Sequence, residues 1–240
     1  MSENPPPIRI AYRFTFRDGR VRDFALTLDR ETLQVLAPPR EHYPEWTALA
    51  YKKCPNCPLD EAQHPRCPVA ANLVDVVEAF GDVRSFDEVD VSVEVPERRY
   101  LKRAPVQQAL SAMIGVLTVA SGCPVLNKLR PMLETHLPFM SPEESTYRMI
   151  AMYLLAQYFR DKQGLEADWD LDQLVELLEE CRQTNAALVR RLQTLGINDA
   201  TLNALAELNT MGEITSLTIE DDLKRLEKIF ADHYGRRAPG

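Results

Sequence analysis

The chain has 240 residues, of which 45% are hydrophobic and 27% are charged, and its formal net charge is −8. This length and composition are those of a globular protein that can bury a full core. The negative charge argues against a nucleic-acid-binding protein, because nucleic acids attract basic surfaces. The sequence therefore predicts no nucleic-acid partner.

The ends and apolar segments of the chain predict its compartment. The opening residues, MSENPPPIRI, lack the basic end and apolar core of a signal peptide. The most apolar run, residues 110–122, is too short to span a bilayer. We therefore expect a cytoplasmic protein with no membrane contact. Because cytoplasmic thiols stay reduced, the five cysteines are more consistent with a metal site than with disulfides.

Alternating apolar residues predict a small antiparallel sheet near the N-terminus. Residues 8–16 and 24–28 alternate on either side of an Asp-Gly turn signal, which is typical of a hairpin. Residues 89–95 alternate valine with polar residues, and Pro96 ends this strand. The basic cluster that follows is interpreted as a solvated loop. It comprises Arg98, Arg99, Lys102 and Arg103.

Most of the remaining sequence has helical periodicity. Ser141 opens a capping box with proline at the first helical position. We predict an α+β fold, with a small N-terminal sheet, a cysteine-rich loop and a mainly helical body that ends in a helical hairpin. The predicted regions are 1–165, which carries the cysteine site, and 166–240, which is helical. Helices are predicted over 69–80, 105–121, 142–164 and 221–234, and in the short stretch after Pro124.

A heptad-like seam predicts a further helix over residues 171–195. Its apolar positions alternate at spacings of three and four, with Asn185 at one of them. The seam suits packing against the final helix, and it also suits a homodimer or a protein partner. Cys181 lies in the seam and is interpreted as a small core residue.

Proline follows four of the five cysteines. Three of these lie in CPNCPLDEAQHPRCP, residues 54–68, and the fourth lies in SGCP. Because proline favours the first helical position, Cys57, Cys67 and Cys123 are predicted at helix N-termini. A helix N-terminus stabilises a thiolate, but cysteine is a poor helix cap. Several thiolates would also repel one another unless a cation lay between them, so the pattern predicts a metal site.

Two ligand sets remain open at this point. Cys54, Cys57, His64 and Cys67 could form a local zinc site, because one Cys-x2-Cys arm is present. Alternatively, the first three cysteines could join Cys123 around a 4Fe-4S cluster, since four thiolates suffice for a cubane.

Two hypotheses that involve no metal also remain. The cysteines could simply pack in a core, which is common for this residue type. Cys123 could instead be an enzymatic nucleophile, with His136 as its nearest base in sequence. The leading hypothesis is a cluster-binding protein for redox sensing or electron transfer. Its alternatives are a zinc-stapled interaction protein and a thiol enzyme.

Three motifs carry a resemblance to a family. CPNCPLDEAQHPRCPVAANLVD, SGCPVLNKLRPM and YLLAQYFRDKQGLEADW together resemble a bacterial family of uncharacterised proteins. The resemblance spans roughly residues 45–210, and the cysteine motifs are its most specific part. It implies a compact stand-alone domain, and it assigns no activity to the chain.

Overall fold

The structure is a computed structural model that describes residues 5–38 and 40–234. Its strands are β1 (Ile8–Phe16), β2 (Val21–Leu28), β3 (Glu88–Val95) and β4 (Arg98–Pro105). Its α-helices are α1 (Pro68–Asn72), α2 (Val74–Phe80), α3 (Val106–Val119), α4 (Pro142–Lys162), α5 (Asp172–Leu192) and α6 (Ala200–Ile229). Short 3-10 helices cover Glu45–Thr47, Leu126–Thr135, Gln193–Leu195 and Ala231–Tyr234.

The four strands form one antiparallel sheet in the order β2-β1-β3-β4. The predicted hairpin is confirmed, and Gly19 takes the positive φ of +87° that its turn requires. One face of β1 is buried because its apolar residues alternate with polar ones. The α+β class predicted from the sequence is therefore confirmed.

The interpretation of residues 98–103 as a solvated loop is wrong, because they belong to β4. Their charges are compatible with a strand because they lie on a sheet face that is open to water. Arg103 pairs with Asp90 at 2.7 Å and Arg99 pairs with Glu94 at 3.3 Å, both across to β3. These exposed cross-strand pairs contribute little stability, but they make the basic sequence tolerable on a strand.

Helices α1, α2 and α3 cover the apolar face of the sheet. Phe80 of α2 contacts Phe14 of β1 edge to face, with ring centroids 5.1 Å apart. Leu110, Met113 and Ile114 of α3 are fully buried. The single helix predicted over 69–80 is divided into α1 and α2 at Leu73. This core fixes the positions of the segments on either side of it, which carry the cysteines.

The chain divides into two compact units, each built from two stretches. The first unit is Met1–Phe139 with Glu180–Asn209, and the second is Met140–Glu179 with Thr210–Gly240. All five cysteines belong to the first unit. The predicted boundary between residues 165 and 166 falls inside the second unit.

In the second unit, α4 begins with the predicted capping box. Ser141 Oγ accepts a hydrogen bond from the Glu144 amide, and the Glu144 carboxylate accepts one from the Ser141 amide. Beyond α4, Asp168 accepts hydrogen bonds from Tyr153 Oη and from the amide of Gln173, each at 2.7–2.8 Å. These bonds define the turn that precedes α5.

Near the C-terminus, the last α-helix of the structure is longer than the helix predicted from the sequence. The helix predicted over 221–234 is the end of the much longer α6, followed by a 3-10 turn. None of the helices within residues 5–38 and 40–234 combines the length and apolar character needed to cross a bilayer.

Candidate metal centre

Cys54, Cys57, Cys67 and Cys123 line a single cavity in the first unit. The volume of the cavity is about 20 Å³, close to that of one water molecule. Cys67 and Cys123 are buried, whereas Cys54 and Cys57 are partly exposed. Apolar side chains surround the thiols, namely Leu49, Leu59, Val69, Val125 and Leu188. The structure therefore brings together four residues that are separated by up to 69 positions in the sequence.

Backbone hydrogen bonds hold the cysteine loop in place, although the loop contains almost no regular structure. The Leu49 amide donates to the Pro65 carbonyl at 3.0 Å, and the Cys67 amide donates to the Thr47 carbonyl at 2.8 Å. These bonds close the loop into a stem, with a β-bridge between Ala48 and Arg66. The stem holds Cys67 at the end of the loop, and Cys67 lines the same cavity as Cys54 and Cys57.

The CPNC segment forms a turn, in which the Cys57 amide donates to the Cys54 carbonyl at 3.1 Å. The prediction that Cys57 precedes a helical turn is wrong, because the residues directly after it have no regular structure and the next turn begins near Asp60. The Asp60 carbonyl accepts from the His64 amide at 2.8 Å, which closes that later turn. The CPNC turn directs both of its cysteines toward the same cavity.

Cys67 is the N-cap residue of α1, as predicted. Its side chain makes no capping hydrogen bond, and Cys67 lines the cavity instead. Pro68 occupies the first helical position, where its missing N–H costs nothing.

Cys123 lies in the segment between α3 and the 3-10 helix Leu126–Thr135. Gly122 has a φ of +92°, a conformation that strains other residues, and its amide donates to Asn127 Oδ1 at 3.2 Å. Burial raises the pKa of the Cys123 thiol, while the amides of Leu126 and Val125 oppose that rise by hydrogen bonding to the sulfur. The chain thus supplies donors for a negatively charged sulfur at this position.

The four cysteine thiols of the cavity interact electrostatically. Burial, with smaller contributions from the neighbouring thiols Cys67, Cys57 and Cys123, raises the pKa of Cys54 to about 12, while Arg191 acts in the opposite direction. Burial and the neighbouring thiols thus oppose the ionisation of Cys54. A metal ion or cluster would reverse this balance, because thiolates are the form that binds metals.

Helix α5 closes the cavity through one of its faces. Thr184, Leu188 and Arg191 line the cavity at helical spacings of four and three. The carbonyl of Thr184 lies 3.9 Å from Cys54 Sγ. The seam prediction selected Asn185 as the polar core position, but Asn185 is partly exposed, whereas Thr184 and Arg191 are buried.

Arg191 is the residue of the site that sequence reasoning missed. Its side chain is 1% exposed, and its Nη1 donates to the carbonyls of Trp46 and Ala48 at 2.6 and 2.7 Å. Its periodicity could have revealed it, because Arg191 follows Cys181, Thr184 and Leu188 at spacings of three, four and three. Arginine at such a position is easily assigned to the solvent face.

The other candidate residues lie elsewhere. His64 is exposed and does not line the cavity. Cys181 is buried in the core, as predicted, and burial raises its pKa to about 12, with Cys123 as a smaller contribution. His136 Nε2 lies 2.7 Å from Tyr12 Oη, and His136 does not line the cavity that contains Cys123.

The thiols line the cavity without forming a ready ligand shell. In the part of the chain that the structure describes, no group of three or more His, Cys, Asp or Glu side chains is already arranged to hold a metal ion.

The chain is thus an α+β protein with a four-cysteine cavity beside a buried arginine. It belongs to the family described as Domain of unknown function (DUF6901), whose model matches residues 10–231. No curated protein and no solved structure matches the chain.

Proposed function

We propose that Cys54, Cys57, Cys67 and Cys123 together bind a metal centre, and that this centre is a 4Fe-4S cluster used for redox sensing or electron transfer. The observation that carries the proposal is the convergence of these four thiols, from separate segments, on one cavity. Four cysteines are a complete ligand set for a cubane cluster.

The surroundings of the thiols support a metal centre over simple packing. A metal bound by four thiolates leaves about two excess negative charges. The cavity offers partners for such a charge, because Arg191 lines it and backbone amides approach Cys123. If the four cysteines only packed in a core, the buried cation beside them would cost free energy without a compensating interaction.

Partial exposure of two ligands favours a redox role. Cys54 and Cys57 reach the surface, so a cluster bound to them would lie close to solvent. An electron partner could then approach the cluster without a change in the core. Three clustered cysteines with a remote fourth that precedes proline are also similar to ferredoxin-like sequences, although the spacings between these cysteines match no standard ferredoxin run.

Zinc is the second candidate, because Cys54 and Cys57 form a Cys-x2-Cys arm and both line the cavity. A structural zinc ion would act as a staple between the loop and residue 123. Such a staple could serve an interaction protein, although the seam residues predicted to meet a partner, such as Leu188 and Leu192, are buried.

A thiol enzyme has less support. A nucleophilic cysteine needs a lowered pKa, but burial raises the pKa of Cys123. The histidine nearest to it in sequence, His136, contacts Tyr12 instead of lining the cavity.

Anaerobic purification tests the proposal directly. The absorbance spectrum, iron, acid-labile sulfide and zinc are measured on one sample. A brown protein with broad absorption near ~400 nm, and with iron and sulfide in equal amounts, is the expected result. A colourless protein with one zinc per chain would replace the cluster by the zinc staple, and a protein that holds neither metal would refute the metal centre.

A further inference from the structure

Arg191 is a buried cation beside the thiol cavity. The residue is 1% exposed, and its Nη1 donates to two backbone carbonyls, at Trp46 and Ala48. Among the side chains that the structure describes, Arg191 belongs to none of the ion pairs. Its guanidinium also lies 5.8 Å from the ring centroid of Tyr51, and Arg191 lines the cavity with the four cysteines.

Burying a charge is costly unless an opposite charge or several dipoles compensate it. The two carbonyls compensate Arg191 only in part, because they are neutral dipoles. The four cysteine side chains line the same cavity as Arg191 and lie on separate segments of the chain. The missing anion is therefore the one that arises when metal replaces the thiol protons and leaves excess negative charge on the sulfurs.

We propose that Arg191 is the counter-ion of the metal centre, a positioning residue that stabilises its negative charge and so sets its affinity and reduction potential. This inference rests on the proposed metal centre at the four cysteines. In the reduction step, one electron from a chemical reductant such as dithionite enters the cluster, all four sulfur bonds remain, and the net charge becomes more negative by one. A fixed cation stabilises the reduced form more than the oxidised form, so Arg191 raises the potential.

Three variants of the full chain distinguish an effect of the Arg191 charge from the loss of its structural contacts. Arg191→Gln removes the charge but keeps donors for the two carbonyls. Arg191→Lys keeps the charge and loses the guanidinium fork. Arg190→Met removes a positive charge from the adjacent, exposed residue and serves as the matched control.

The readout is the midpoint potential of the bound cluster. We expect Arg191→Gln to lower the ratio of reduced to oxidised cluster at a fixed potential by about tenfold, which is a shift of about 59 mV for one electron. Arg191→Lys and Arg190→Met are expected to stay within about threefold of the wild-type ratio. If the isolated protein holds zinc, the same four proteins are compared by their affinity for added Co²⁺. We expect the same ranking of affinities, with about tenfold weaker binding in Arg191→Gln.

The outcomes distinguish this inference from the proposed function. A wild-type protein that binds no metal refutes both. A wild-type protein that binds metal, together with an Arg191→Gln variant of unchanged potential or affinity, refutes the counter-ion alone. Equal losses in Arg191→Gln and Arg191→Lys would also refute it, because a purely structural arginine produces that pattern. If Arg191→Gln does not fold, Arg191→Lys decides the matter, and a tenfold loss in that variant contradicts the inference.

Discussion

The side-chain amide of Asn56 donates a hydrogen bond of 2.9 Å to the carbonyl oxygen of Glu180. Asn56 lies between Cys54 and Cys57, whereas Glu180 lies on α5, 124 positions further along the chain. Thr184 Oγ1 adds a second bond to Asn56 Oδ1 at 3.3 Å. The tip of the cysteine loop is therefore attached to the helix that supplies Arg191, so loop and helix hold the cavity together.

Replacing Asn56 by alanine should loosen this attachment. The change removes both side-chain bonds to α5, and we expect a loss of about 1–2 kcal/mol in the free energy of unfolding. Urea unfolding of the variant and of wild type measures the loss. Gln63→Ala is the matched control, because Gln63 is exposed in the same loop. An Asn56→Ala variant that is as stable as the control would show that the attachment contributes nothing.

Single Cys→Ser variants should separate ligands from packing residues. Replacement of Cys54, Cys57, Cys67 or Cys123 should each reduce the metal retained per chain by about tenfold or more, because serine is a much weaker ligand than a thiolate for these metals. Metal analysis after anaerobic purification measures this content. Cys181→Ser is the control, since Cys181 is buried like Cys67 and Cys123 but does not line the cavity.

A histidine variant completes this series. His64→Ala should leave the metal content unchanged, because His64 is exposed away from the cavity. If His64→Ala lost metal while Cys123→Ser kept it, the ligand set would be the local one predicted for zinc. That result would contradict a site assembled from the loop and residue 123.

The metal-free protein should react slowly with alkylating agents at Cys123. Burial raises the pKa of this thiol, so the group is protonated at neutral pH, and its thiolate appears only as the pH rises above the usual thiol range near ~8.5. Rates of iodoacetamide labelling at Cys123 between pH 6 and pH 10, read by mass spectrometry, test this, with the urea-unfolded chain as the reference. A folded protein that reaches its full rate below pH 8 would indicate a lowered pKa and would favour the thiol enzyme.

The sequence predicted the elements whose periodicity is strong. The hairpin of β1 and β2 and the capping box at Ser141 both follow from local rules, and both are present. The strand β4 was missed because half of its residues are charged, and only pairing with β3 makes that pattern favourable. Tertiary context overrides local preference most easily at such edge strands.

The residues of the candidate site also differ in how well the sequence alone predicts them. The four cysteines could be identified from the sequence, because proline directly follows each of them and this unusual pattern is visible without a structure. Periodicity could place Arg191 on the buried face of α5 but not beside the cysteines, since that position depends on the carbonyls of Trp46 and Ala48, which are more than 140 positions away. Contacts of such separation depend on the fold.

X-ray absorption at the edge of the metal bound to the wild-type protein tests the central claim most directly, because it reports the atoms that surround the metal. The proposed centre predicts a first shell made only of sulfur, at about 2.3 Å for either metal, with additional metal neighbours if the centre is a cluster. A shell dominated by nitrogen or oxygen would contradict the claim, because the four cysteines would then not be the ligands.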